Sequence, residues 1–220
     1  NRLNIELDFP KTVLSIQSAQ IPLSAAWLHG TPARNLKIKV DVLFVKDQTR
    51  FEGFEDYDFT NPATFFQPVE QTIFDGRLDE KGETTVPFGL FSPGNAPGML
   101  KVWFTSRVFE QGGDFSTKVT SAKFAPYQTF VGVKMPASED NWYKTDTDYQ
   151  PEVVLVDRNG NPVSGNDIEA KLYKIDWRSW WESGEENLAH YVSGNYYNPV
   201  KTWLVKNTGH KTRLNLNVKY

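Results

Sequence analysis

The chain has 220 residues, 39% hydrophobic and 23% charged, with no cysteine and a formal net charge of −3. Zero cysteine excludes disulfides, thiolate metal sites and thiol nucleophiles, and mild acidity without a Lys/Arg run excludes a basic nucleic-acid surface. No apolar run approaches the ~20 residues of a membrane helix, and Asn1-Arg2-Leu3-Asn4 is not a signal peptide, so the expectation is an excised piece of a larger secreted or surface protein.

Period-two alternation dominates the chain. Leu3, Ile5 and Leu7 share one face of a predicted strand over Leu3 to Asp8, and Thr12 to Gln17 follows less regularly. Leu36 to Val45 is the clearest strand, with Leu36, Ile38, Val40, Val42 and Phe44 on one side. Leu100 to Phe109 sets Leu100, Val102 and Phe104 against Lys101, Trp103 and Thr105. Ser116 to Thr120, Val153 to Val156, Ile168 to Ile175, Thr202 to Val205 and Thr212 to Lys219 complete the set. Only Asp176 to Tyr191 could hold a helix of any length, and Gly184 interrupts it. Thirteen prolines and fifteen glycines fall between the strand patterns as turn punctuation. The fold class is therefore all-β. At roughly 100 residues per sandwich, the length suits two antiparallel β-sandwiches in tandem.

An internal echo supports two copies. Ser24-Ala-Ala-Trp27-Leu28-His29-Gly30-Thr31-Pro32-Ala33 leads into Leu36 to Val45, and Glu152 to Val156 followed by Asp157-Arg158-Asn159-Gly160-Asn161-Pro162-Val163 leads into Ile168 to Ile175. Both read strand, Gly-x-Pro-small, spacer, strand; Gly supplies a positive φ and Pro restarts an extended chain. The junction is expected in Ser121 to Tyr127, giving domains 1–122 and 123–220, the second short of a final strand and carrying a long insertion at about 177–199.

Little in the chain carries chemistry. His29, His190 and His210 show no spacing that would pair them, as zinc or acid–base work requires. No nucleophile elbow or phosphate loop is present. Glu52, Glu55, Asp56 and Asp58 interleave with Phe51, Phe54, Tyr57 and Phe59, which reads as a solvated loop over packed aromatics rather than a calcium site. Asp157 to Asn161 lacks the downstream Glu of a calcium loop, and its Asn-Gly is first a hairpin turn. No catalytic, cofactor-binding or metal-binding residue is assigned, and the chain is read as a non-enzyme. The most distinctive stretch, Asp176 to Pro199, separates two good strands and is too long for a hairpin turn. Its aromatics either cap the end of the sandwich or serve function. Trp177, Trp180, Trp181 and Trp203 could alternatively be stacking platforms of a carbohydrate-binding sandwich, and a glycosidase pair among the acids stays open because its spacing is spatial.

The order of these motifs resembles a known family. Val154 to Gly165 followed by Ile168 to Trp181 looks like the macroglobulin-type domain that flanks the bait region of bacterial alpha-2-macroglobulins, and Phe130 to Lys134 resembles its opening strand. Ala26-Trp27-Leu28-His29-Gly30-Thr31-Pro32-Ala33 resembles the preceding domain, where Tyr-Gly-x-Pro-Ala is usual; His29 replaces that Tyr. The resemblance implies two macroglobulin-like (fibronectin/Ig-like) sandwiches in an envelope-anchored protease trap, periplasmic or surface-exposed, attached as a lipoprotein in the full-length protein. Its partners would be proteases and the neighbouring macroglobulin-like domains of the same chain. Members often carry a Cys-Glu-Gln thioester in another domain, absent from this cysteine-free chain. The insertion is then the expected bait or its edge: Arg178 for basic-specific proteases, Trp180, Trp181 and Tyr191 for aromatic-specific ones, Glu182, Glu185 and Glu186 for acid-specific ones. Exposed segments are where nicking concentrates.

Overall fold

A computed structural model of the protein describes residues 2–17, 20–89, 93–138, 142–165, 167–183 and 189–219, with backbone only over 175–183 and 189–198. Its strands in chain order are β1 (Leu3–Leu7), β2 (Val13–Ser15), β3 (Gln20–Trp27), β4 (Lys37–Lys46), β5 (Val69–Arg77), β6 (Glu83–Pro87), β7 (Leu100–Phe109), β8 (Phe115–Ala125), β9 (Thr129–Lys134), β10 (Asp148–Tyr149), β11 (Glu152–Asp157), β12 (Ile168–Ser183), β13 (Ala189–Val205), β14 (Thr212–Arg213) and β15 (Leu216–Asn217). No helix occurs among the described residues, so Asp176 to Ser183 and Ala189 to Tyr191, where helical spacing was a possibility, are strand instead. Two compact units form: Asn1–Gly132 with Val156–Asn161, and Val133–Leu155 with Pro162–Tyr220.

The first unit is a two-sheet sandwich. Sheet β1-β3-β6 is antiparallel, and the sheet β2-β8-β7-β4-β5 is antiparallel except for the β2–β8 pair. The alternation read from sequence is the reason. Ile38, Val40, Val42 and Phe44 of β4 and Leu100, Val102, Phe104 and Val108 of β7 form one core with Leu3 and Ile5 of β1, Ile21 and Leu23 of β3, and Val86 of β6. Phenylalanines fill its middle. Phe104 stands 5.1 Å from Phe9 and 5.4 Å from Phe88 between ring centroids, and Phe44 stands 5.1 Å from Phe124. Tilted and edge-on rings of this kind add to the burial itself.

Strand β5 carries no clean alternation because it is an edge strand with a bulge. Val40 pairs with Phe74 and Asp41 with Thr72, leaving Ile73 as the extra residue. Both Ile73 and Phe74 pack on the core as a result. The charges of the outer face converge on Asp41. Its carboxylate accepts hydrogen bonds from Thr72 Oγ1 at 2.5 Å and Arg107 Nη1 at 2.6 Å, with Lys39 Nζ at 3.3 Å. Burial alone would raise the Asp41 carboxyl, but the bonds from Thr72, Lys39 and Arg107 outweigh it and hold it below the usual carboxylate range.

The sequence echo is an echo of hydrogen bonds. At Trp27–Thr31, Gly30 N donates to Trp27 O (2.7 Å), Trp27 N to Thr31 O (2.8 Å) and Ala33 N to Ala25 O (3.0 Å). At Asp157–Asn161, Gly160 N donates to Asp157 O (3.0 Å), Asp157 N to Asn161 O (2.8 Å) and Val163 N to Leu155 O (2.9 Å). Gly30 and Gly160 have φ of 91° and 89°, the left-handed value that a tight turn followed by a G1 bulge demands. The same turn recurs at Asp79–Glu83 and Glu110–Asp114. In the first of these, a Cβ on Gly82 (φ 78°) would lie 2.4 Å from Ala25 O, so glycine is required there on two counts.

The second unit is thinner. β14-β11-β9 form a three-stranded sheet, β10 and β15 pair, and β12 and β13 form a two-stranded sheet of their own. Its core is Val153, Leu155, Ile168 and Val205, with Val163, Trp203 and Leu214 packed against it. The strand expected over Thr212 to Lys219 is assigned as two short pieces on one register: β14 pairs with β11 and β15 with β10, and between them Leu214 N continues the ladder to Pro151 O at 2.9 Å.

Candidate functional site

The Trp177–Pro199 stretch is built as a continuation of its flanking strands. Ile168 pairs with Val205, and the ladder runs without a break in pairing direction to Ser183 opposite Ala189. An insertion was expected because the stretch separates two good strands and is too long for a hairpin turn. Cross-strand register, which sequence spacing does not reveal, carries the pairing instead.

The hairpin has two parts. At its base, Ile168 and Val205 are buried, Trp203 leans on the same core, and Lys201 Nζ lies 4.9 Å from the Trp203 ring centroid. The register then shifts: Leu172 faces Lys201 but Tyr173 faces Pro199, so Val200 is an extra, exposed residue. Pro199 beside it has no N–H to give, and prolines within strands sit at bulges and edges for that reason. Beyond this break lies an arm, Tyr173–Ser183 against Ala189–Pro199, about 36 Å long at the ~3.3 Å rise of a strand.

Five of the expected protease-accessible residues lie on this arm. Arg178, Trp180, Trp181 and Glu182 are in β12, opposite Gly194, Val192, Tyr191 and His190 respectively; Tyr191 is thus paired with Trp181. Glu185 and Glu186 lie outside the described residues. The tryptophans of the sugar-binding alternative are spread out: Trp203 is level with Ala170, so Trp177 and Trp181 are seven and eleven positions further along, about 23 and 36 Å away at the strand rise. A single short oligosaccharide cannot stack on all four.

Other sequence candidates resolve into turns and packing. Phe51, Tyr57 and Phe59 are buried while Glu52, Glu55, Asp56 and Asp58 are exposed, with Phe51 4.8 Å from Phe59 and 5.6 Å from Phe130 between centroids. Glu55 accepts from Gly53 N (2.9 Å) and Asp58 from Thr60 N (2.8 Å); backbone amides, Gly53 among them, lower the Glu55 carboxyl. Asp157 Oδ1 likewise accepts from Asn159 N (2.8 Å) and Asn161 N (2.9 Å), as Asp79 Oδ1 does from Lys81 N and Glu83 N (both 2.8 Å). Burial raises Asp157, yet the Asn161 side chain and the turn amides bring it down. His29 is an exposed turn residue, its ring 6.3 Å from Trp27. Among the described residues no three His, Asp or Glu side chains stand together as a metal site.

The model of the bacterial alpha-2-macroglobulin MG5 domain matches residues 1–126, and that of bacterial macroglobulin domain 6 matches 132–220. The chain belongs to the bacterial alpha-2-macroglobulin family. Among solved structures, the fold is similar to Salmonella alpha-2-macroglobulin reacted with methylamine (TM-score 0.66, 15% identity) and to the native conformation of E. coli alpha-2-macroglobulin (TM-score 0.61, 17% identity). Both matches cover 100% of this chain and 15% of the other. It is also similar to E. coli alpha-2-macroglobulin activated by porcine elastase (TM-score 0.60, 17% identity), covering 100% and 20%. No curated protein matches the sequence. The hairpin therefore belongs to the macroglobulin domain 6 match, and the phenylalanine-filled sandwich to the MG5 match.

Proposed function

We propose that this chain is a non-catalytic segment of a protease trap. Its two domains serve as scaffold, and the β12–β13 arm, with the segment that joins its strands in sequence, offers Arg178, Trp180, Trp181, Glu182, Glu185, Glu186 and Tyr191 to proteases of different specificity. The supporting observation is the two-stranded arm itself: in a domain of the macroglobulin 6 type, its strands pair, among the described residues, only with each other. A ribbon of two strands is marginal in water, so it opens locally at low cost. Local opening is the step a protease requires before it can cut paired backbone. The partners are then the attacking protease and neighbouring macroglobulin-like domains of a longer chain, in the cell envelope. The elastase-activated E. coli structure supports a protease as partner by family likeness.

Limited proteolysis tests this. Brief digestion with trypsin, chymotrypsin and a Glu-specific protease, with the first cuts mapped by mass spectrometry, is expected to place all three sets of cuts between Trp177 and Asn198. First cuts scattered over other loops, with the arm intact, would exclude the reading. A sugar-binding module would instead resist cutting there and change its tryptophan fluorescence on adding polysaccharide.

A further inference from the structure

The way the second unit is laced together separates the arm from everything that holds the unit. A cut in the arm divides the chain into a piece ending in β12 and a piece beginning in β13. Apart from the arm's own ladder, the described contacts that hold the C-terminal piece lie outside the arm. β14 pairs with β11 through Glu152–Arg213 and Val153–Thr212, and β15 pairs with β10. Asn217 Nδ2 donates to Asp148 Oδ1 at 2.7 Å, Asn207 Nδ2 to Val163 O at 2.7 Å, and Asp146 N to Val218 O at 2.8 Å. Val205, Trp203 and Leu214 complete the core around Val153 and Ile168. Among the described residues, the strands of the arm pair only with each other. Between the two stand Val200, unpaired, and Pro199, without an N–H.

We infer that the Pro199–Val200 bulge is a fracture line: once the arm is cut, the two strands separate up to Tyr173 and Pro199, and the base from Ile168 to Leu172 against Lys201 to Val205 stays folded. Both pieces remain joined. The physical reason is loop closure. In the intact hairpin the tip holds the arm strands together, so their pairing is intramolecular. Cutting removes that tether from a ribbon whose strands, among the described residues, pair only with each other, while the base keeps its tethers through β11 and β14. The released ends, each about eleven residues of aromatic-rich strand, become free to engage other surfaces. The inference rests on the hairpin being the element that proteases cut.

To separate it from that reading, the cut is engineered. The recognition sequence of a site-specific protease is inserted between Ser183 and Ala189, and hydrogen exchange is mapped on the 220-residue chain before and after cleavage. Amides of 174–183 and 189–198 are expected to exchange about 100-fold faster after cutting, while those of 168–172 and 201–205 change by less than about threefold. Native mass spectrometry should find both pieces together. Loss of protection in the base, dissociation of the pieces, or an arm that stays protected would each overturn the inference. Removing Val200 together with Pro199→Val restores an unbroken register, and should move the limit of protection in the cut protein outward past Tyr173. A limit that stays at Leu172 would also overturn it. Because the cut does not depend on natural proteases, failure of the trap reading leaves these outcomes readable.

Discussion

The MG5-type sandwich and the β12–β13 arm are made from the same strand-forming residues, yet they differ in how many neighbours each strand has. β4 has a strand on both edges, β5 and β7, and its inward side chains are covered by the facing core. A strand of the arm has one hydrogen-bonded neighbour among the described residues. Cross-strand hydrogen bonds are present in both, and their net contribution is small because water competes for them. What holds the sandwich beyond those bonds is apolar burial, the dominant favourable contribution to folding, in a core drawn from both of its sheets. The sandwich is therefore expected to set the stability of the first unit, and the arm to be free to open without loss of either core.

Substitutions can break that contrast at graded strengths. Phe104, fully buried among Phe9 and Phe88, has the largest expected effect: Phe104→Ala should cost about 4 kcal/mol in denaturant unfolding of the first unit. A loss below about 1 kcal/mol would mean that the phenylalanine cluster is not the core it is taken to be. Gly82→Ala should cost about 3 kcal/mol, since the new Cβ would meet Ala25 O in a left-handed backbone. The same change at Gly30, where a Cβ meets nothing within 4 Å, carries only the φ penalty, so the difference between the two measures the close approach.

Asp41→Asn is expected to cost about 2 kcal/mol at pH 7, the scale of hydrogen bonds to a charged group. The sign with pH follows from the lowered carboxyl. Its folded value lies below its unfolded one, so the stabilisation is full above about pH 4 and is lost as pH falls through the folded value. Unfolding curves of the two proteins should therefore converge at low pH; a constant gap from pH 7 to pH 2 would show that the charge is not responsible. The smallest effect is expected from the arm. Replacing 174–198 by a two-residue Asn-Gly turn should leave unfolding of both units within about 0.5 kcal/mol of the parent, measured by calorimetry. A larger loss would mean that the arm supports a core.

Much of the sandwich was legible in residues. Leu36 to Val45 and Leu100 to Phe109 alternate because each lies in the middle of a sheet with one face on the core. β5 was not legible, because the bulge at Ile73 breaks its period and its exposed edge is polar. The acidic loop at Glu52 to Asp58 was legible as a solvated rim over aromatics, since charges cannot follow Phe51 and Phe59 inward without partners. The candidate site was legible only as a place. The residues from Trp177 to Tyr191 announced an unusual segment, but not its form, because pairing depends on register with an opposite strand six to eighteen residues away.

The chain alone determined the all-β class, the repeated Gly-x-Pro turn and the absence of thiol chemistry, since each follows from residue identity or from spacing within a few positions. The tertiary structure decided which strands became neighbours, that Asp41 would gather Thr72 and Arg107, and that a bulge at Val200 would divide a packed base from the two-stranded ribbon beyond it. Those outcomes depend on register between distant segments, and register is set by burial and turn geometry acting together.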